Sequence, residues 1–425
     1  IGIVVTGQLN WALFERRSLK VFSQDRLRWM FSRAKIAWPL LLRASTGALL
    51  RHYKITNGSL VIDDSDKQRS KKTTKIAGVH KVKDKKTGGY FNGQELIFMI
   101  LVTEIVTLPV GFRWYVPDPK LKAWRKESQR LKREGIPLSL RPEKPSPDPN
   151  YPTKQALALA MVNEFANWFP CVLVKSVLAD ALYGTREFMD EASAATGGSQ
   201  VVSQLRSNQL VFNCGKKVSL VSYFARQTGV DTTLSIRGGG EKRVTMLAAR
   251  LQVKAHGKRR FVIALKYEGE TDYRFLVASD LSWRHQDIAR LYTLRWLVEV
   301  FIQDWKSHAG WNRLSKHQGI EGSTQGVILS LLCDHLLLLH PAQSARLKSK
   351  QPGISAGCLI ESLKVEALVS TIENIVNAED SAVALAAFTD ELRDTLEERP
   401  SSKHMAGLDL GRQEGTPSLR YRAAA

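Results

Sequence analysis

The chain has 425 residues, 44% of them hydrophobic and 24% charged, with a formal net charge of +21. That length and apolar content exclude a disordered chain and suffice for two or three domains; the charge favours a polyanionic partner without separating nucleic acid from a ribosome or an anionic membrane surface. Cys171, Cys214, Cys333 and Cys358 stand far apart with no C-x-x-C pair, so neither disulfides nor a zinc site are expected, and the compartment reads as reducing.

Residues 1–55 read as helical and basic, with Trp29, Phe31 and Trp38 supplying a small core. The segment is either a DNA-end-binding domain or a helical cap on the next domain. The chain starts at Ile1 rather than Met, so a natural start further upstream is expected. Residues 59–62 (SLVI) form a short β-type run that ends in Asp63-Asp64-Ser65-Asp66. A carboxylate at the tip of a buried strand is held rigidly enough to bind a metal, and the same residues also suit a solvated acidic turn.

Residues 67–86 carry nine Lys or Arg and read as a solvated loop able to meet phosphates. The apolar runs at 94–104 and 106–116 are expected as an antiparallel pair beside the first strand. Residues 119–152 read as a basic helix and a proline-rich connector, a surface excursion. An amphipathic helix follows over 153–169 with Thr153 as its N-cap. An apolar strand from 171 ends in Asp180, and Tyr183-Gly184 turns the chain into a helix near Arg186. Residues 201–206 (VVSQLR) supply a fifth strand. Between 206 and 280 come β runs at 209–212, 217–223, 244–253, 260–267 and 274–278, separated by glycine turns.

Residues 291–306 (LYTLRWLVEVFIQDWK) read as one helix. At about 100° per residue, Tyr292, Arg295, Glu299 and Lys306 form one narrow polar stripe, and Leu294, Val298, Phe301 and Trp305 form an apolar face beside it. Such a row is either a solvated i, i+4 salt-bridge face or a metal carboxylate flanked by phosphate clamps. Beyond it, residues 320–396 read as a helical domain, with 327–339 as a core or interface helix. The tail from 397 is expected to be disordered. No stretch reaches the ~18 apolar residues of a membrane span, and no secretory signal is visible.

The spacing Y-x2-R-x3-E-x6-K at Tyr292, Arg295, Glu299 and Lys306 resembles the signature of IS4-type DDE transposases. Asp63-Asp64-Ser65 resembles that family's D-x-T after the first strand, with Asp64 as the alternative first carboxylate. Asp180 to Gly184 resembles its D-x-x-Y-G, and Asp84 to Gly88 its DK-x-x-G turn. The resemblance implies an α/β, RNase H-like catalytic domain over 56–206 and 280–315. A β-rich insertion at 207–279 interrupts it, and helical regions at 1–55 and 316–396 flank it. It also implies Asp63, Asp180 and Glu299 as catalytic carboxylates holding two Mg²⁺ ions, with Mn²⁺ as a substitute. Tyr292, Arg295, Lys306, Arg206 and Lys85 become DNA contacts. The partners implied are double-stranded DNA, both terminal repeats and target, and a second copy of the chain in the DNA complex, with no membrane; the place is a prokaryotic cytoplasm, at the nucleoid. The family's insertion often places an aromatic against a flipped base, for which Tyr273, Phe275 and Trp283 are the candidates.

Overall fold

The computed structural model describes residues 10–18, 21–70, 73, 76–84, 87–236, 240–308 and 319–395. The expected tail from 397 and Lys85 lie outside the described residues. Helices α1 (Trp11–Arg17), α2 (Gln24–Ser32) and α3 (Trp38–His52) come first. Strands β1 (Asn57–Gln68), β2 (His80–Lys83), β3 (Tyr90–Val102) and β4 (Thr107–Tyr115) follow. Then come α4 (Pro119–Arg133), α5 (Lys154–Trp168), β5 (Leu173–Ala179), α6 (Arg186–Ala195) and β6 (Gln200–Leu205). The β-rich stretch holds β7 (Leu210–Asn213), β8 (Lys216–Ser219), α7 (Leu220–Phe224), β9 (Val230–Ile236), β10 (Gly240–Val253), β11 (Lys258–Tyr267) and β12 (Arg274–Ala278). The chain continues through α8 (His285–Tyr292), α9 (Trp296–His308), α10 (Ile320–Leu339), α11 (Pro341–Lys348), α12 (Ala356–Val376) and α13 (Ser381–Thr395).

Two compact units result. Residues 11–27 and 365 onward make the smaller one, whose helices leave Leu368, Ile372, Val383 and Leu385 exposed. Residues 28–364 make the larger one and contain the whole sheet.

That sheet is mixed, in the order β2-β3-β1-β5-β6-β12-β11-β10-β7-β8, with β4 also on β3 and β9 also on β10. β1 lies antiparallel to β3 and parallel to β5, and β5 lies parallel to β6. An antiparallel meander followed by two parallel strands joined through α6 is the arrangement expected of an RNase H-like core. Leu60, Val61 and Ile62 are each fully buried, as an unbroken apolar run between two covered faces requires. On one face Leu60 and Ile62 join Ile97, Met161 and Phe165 of α5 in the main core. On the other, Phe98 meets Phe301 and Trp305 of α9 with ring centroids 5.8 and 4.7 Å apart.

The structure departs from the sequence reading in several places. β1 does not end at Ile62 but runs on to Gln68, because its pairing with β3 outlasts its pairing with β5. Residues 217–223 are not one strand: Ser219 accepts the Ser222 amide as an N-cap and starts α7. The expected single helix at 291–306 is broken by a 3₁₀ turn at Thr293–Arg295 between α8 and α9. Finally, α10 is 20 residues long and passes the length and apolarity test for a membrane span. It is nonetheless 56% buried within the protein over its most apolar window, with Val327, Ile328 and Leu331 in the interior. Its His335 donates from Nε2 to the Pro109 carbonyl (2.8 Å), which leaves Nδ1 to accept the Ser45 hydroxyl of α3 (2.8 Å), tying α3 and β4 to this helix.

Candidate active site

β1 and β5 stay in parallel register up to Ile62 and Ala179, so the next residues, Asp63 and Asp180, stand side by side where that pairing ends. Crevices beyond the carboxyl ends of parallel strands are where open α/β sheets hold their ligands. Here β1 continues along β3 while β5 turns away, and one carboxylate oxygen each from Asp63, Asp64 and Asp180 lie within 4.8 Å of one another.

The Asp180 turn is tightly built. Its carboxylate caps the following 3₁₀ turn by accepting the Leu182 amide at 2.9 Å, and its carbonyl accepts the Ser203 hydroxyl of β6 at 2.6 Å. At Gly184 an added Cβ would sit 2.3 Å from the Gln204 carbonyl oxygen, so only glycine lets the turn close on β6. The Gly184 carbonyl meets His256 Nε2 at 3.1 Å. His256 Nδ1 accepts from Arg260 Nε at 3.0 Å, which leaves Nε2 as the donor. Arg260, 1% exposed, is anchored in turn on Asp190 of α6 at 2.6 Å. Tyr183 is fully buried beneath the acidic cluster, and its hydroxyl has no hydrogen-bond partner among the described residues. Burial first, then Asp64, Asp180 and Asp63, push that phenol well above the usual range.

Successive β1 side chains face opposite sides, and each of the two aspartates meets its own cation. Asp63 Oδ2 accepts Arg295 Nη1 at 3.0 Å, and Arg295 Nη2 binds Glu299 Oε1. The guanidinium therefore stands between the first and third expected carboxylates. Glu299 is 47% exposed, and the acidic group with Asp63 and Asp180 is completed by Asp64 among the described residues. Asp64 Oδ2 accepts Lys154 Nζ at 2.7 Å. Lys154 also donates to Glu95 Oε1 at 2.8 Å and lies 5.1 Å over the Tyr115 ring, and Glu95 Oε2 is bonded to His80 Nε2 at 2.8 Å.

Burial holds the Asp63 carboxyl up at about 6; Arg295 and the Asp64 amide oppose this, and the Asp64 and Asp180 charges add to it. Burial also raises Glu95, but His80 and Lys154 together outweigh it and leave that carboxyl below its usual range. For Lys154 burial is the largest influence and acts downward, yet Asp64 and Glu95 overcome it and keep the ammonium charged.

The other expected residues are spread around this centre. Tyr292 is buried and donates to the Ala179 carbonyl at 3.2 Å, bracing the α8 end against the last residue of β5. Lys306 is half-buried and lines an open cleft with Asp63, Asp64, Asp66 and Glu299; burial lowers its pKa against the pull of Asp66 and Asp64. Arg206 is exposed just past β6, at the same end of the sheet as Asp180. Tyr273 lies outside this cleft, under Lys266 at 5.1 Å, and Phe275 is buried against Phe224. Lys154, Glu95 and His80 were not legible as site residues. The one available signal was an acidic residue, Glu95, immediately before the unbroken apolar run over 96–102.

The sequence profile of the DDE superfamily endonucleases matches residues 15–260, more than half of the chain. The matched stretch contains Asp63, Asp64, Lys154, Asp180 and Arg206 and stops before Tyr292, Arg295, Glu299 and Lys306. No curated protein matches the chain.

Proposed function

The chain belongs to the DDE superfamily endonucleases, and from that premise we propose that it is a cut-and-paste DNA transposase of the IS4 type. The observation that carries the reading is the meeting of Asp63, Asp64 and Asp180 within 4.8 Å at the open end of two parallel strands. All the donors there are hard carboxylate oxygens, which fit Mg²⁺ or Mn²⁺ better than softer metals. Asp63 and Asp180 would hold the ions, with Glu299 joining them when Arg295 lets go. Bound divalent ions would activate the attacking oxygen and stabilise the leaving oxygen of an in-line displacement at phosphorus.

The chain's own residues prepare that reaction. Lys154 fixes Asp64, and the Ser203 and Leu182 bonds fix Asp180. Arg295 is the mobile member: bound to Asp63 and Glu299, its fork also matches a phosphate, so an arriving DNA strand draws it off both carboxylates. Lys306 and Arg206 flank the cleft as further phosphate contacts, and Lys85 belongs to the basic loop before β3. Tyr292 acts as a positioning residue for the α8–α9 junction. Double-stranded DNA is the substrate, both the element's ends and its target, in a complex containing two copies of the chain, within a prokaryotic cytoplasm.

The test uses a supercoiled plasmid carrying the gene's own flanking DNA, Mg²⁺ or Mn²⁺, and a Glu299→Gln control. Nicks at defined ends and strand-joined products that vanish in the variant, with DNA binding kept, support the reading. Cleavage without joined products would reduce it to a nuclease of the same superfamily. Loss of cleavage and binding together in the variant would make Glu299 structural.

A further inference from the structure

α4 is a helix that the protein builds carefully and buries nowhere. Asp118 caps it by accepting the Lys120 and Leu121 amides, and Gly135, at φ +75°, follows its end. The proline-rich segment behind it is a brace: Trp124 Nε1 donates to the Pro142 carbonyl at 2.7 Å, and Arg141 donates twice to the Ile136 carbonyl. Yet none of its fifteen residues is buried, so no core explains it.

Its charge is one-sided. Seven of the fifteen residues are Lys or Arg against the single Glu127. Arg130 is already neutralised by Glu127 and Glu134. Lys120, Lys122, Arg125, Lys126, Lys132 and Arg133 are exposed and form no ion pair among the described residues. Lys122, Arg125, Lys126 and Arg133 fall within about 100° of one another around the helix and span about 16 Å along it. On a duplex with 3.4 Å between phosphates of one strand, that is a run of about five base pairs.

The helix also starts from the right place. It leaves β4 at Tyr115, the ring under Lys154, and the excursion ends at Lys154 itself, the first residue of α5, which bonds Asp64. Arg125 is within electrostatic reach of the Tyr115 hydroxyl. Both ends of the excursion thus lie at the carboxylate end of the sheet.

We infer that α4 is a rigid arm that grips the backbone of duplex DNA beside the cut site, through Lys122, Arg125, Lys126 and Arg133. The inference rests on the DNA-cleaving reading above and adds a contact surface outside the cleft. Because the contacts go to phosphates, they strengthen binding of any sequence equally and leave end selection to other parts of the chain.

The test measures the salt dependence of binding of the full chain to a duplex of the element's end and to an unrelated duplex. A Lys122→Gln, Arg125→Gln, Lys126→Gln, Arg133→Gln variant is compared with Arg130→Gln and wild type, with melting temperatures as the folding control. At about 0.9 of log–log slope per phosphate contact, the four-fold variant should lose about 3.6 units of slope. Its affinity should fall at least about 100-fold at 0.1 M salt for both duplexes, while Arg130→Gln changes the slope by less than about one unit. An unchanged slope in the four-fold variant, or an equal loss in Arg130→Gln, overturns the inference and leaves the active site untouched. A wild-type chain that binds neither duplex would instead overturn the reading of the whole protein.

Discussion

The two faces of β1 hold neighbouring aspartates in opposite ways. On the α5 face, Asp64 is held by Lys154, which lies over the Tyr115 ring and whose other partner, Glu95, is enclosed and bonded in turn to His80. On the α9 face, Asp63 is held by Arg295, whose other partner, Glu299, is half in solvent. Burial raises Asp63, whereas the charges around Glu95 lower it. The difference lies in the second carboxylate that each cation meets, enclosed at Glu95 and open to water at Glu299. In the proposed reaction Lys154 would limit the repulsion of clustered carboxylates and Arg295 would be the cation that a phosphate displaces.

The largest effect is expected where the two faces meet. Asp180→Asn should lower cleavage by about 1,000-fold, close to 4 kcal/mol, with DNA binding retained; a retained rate in single-turnover assays would remove Asp180 from the chemistry. Next, Lys154→Met leaves Asp64 without its cation and Glu95 with His80 alone in a mostly dry place, and should cost about 3 kcal/mol of stability in urea unfolding. Arg295→Met tests the other face and should cost less stability than Lys154→Met, because Glu299 keeps access to water although Asp63 does not, yet cleavage should fall at least tenfold. Equal stability losses in these two variants would erase the distinction between the enclosed and the open pairing.

The smallest effect is a pH dependence. Glu95 has a folded pKa below its unfolded value, so its contribution is present above the unfolded value of about 4.5 and is lost as pH falls through the folded one. Unfolding midpoints of wild type should therefore drop faster below about pH 4.5 than those of Glu95→Gln. Parallel curves would mean that His80 and Lys154 do not stabilise the charged form.

Much of this architecture could be read from residues alone, where the signal is local. The apolar run before Asp63, the run before Asp180 with its Tyr183-Gly184 turn, and the Thr153 cap all lie where the sequence places them. Asp64 stayed an alternative to Asp63, because a strand shows which residues alternate but not which partner each side meets. Lys154 is 90 residues from Asp64, and no periodicity encodes that pairing. The helical wheel over 291–306 aligned Arg295 with Glu299 correctly but missed the 3₁₀ turn that sends Tyr292 inward to β5. β9 was overlooked because VDTTLSI is largely polar, with Leu234 its one buried side chain. Such a strand relies on its neighbour, β10, rather than on its own hydrophobicity.

The pairing of β12 onto β6 has a consequence for how the protein comes into being. Phe275 lies opposite Leu205 and Ala278 opposite Val202, so a bond ladder closes across some seventy residues of intervening chain. Until that ladder forms, β6 is a bare edge carrying unpaired amides, and the arm that bears Asp180 rests on it. Contacts of such long sequence separation form late, and during synthesis this one must wait until β12 has been made. Excising residues 210–278 as if they were a detachable module would thus leave a sticky, half-finished sheet rather than a smaller enzyme.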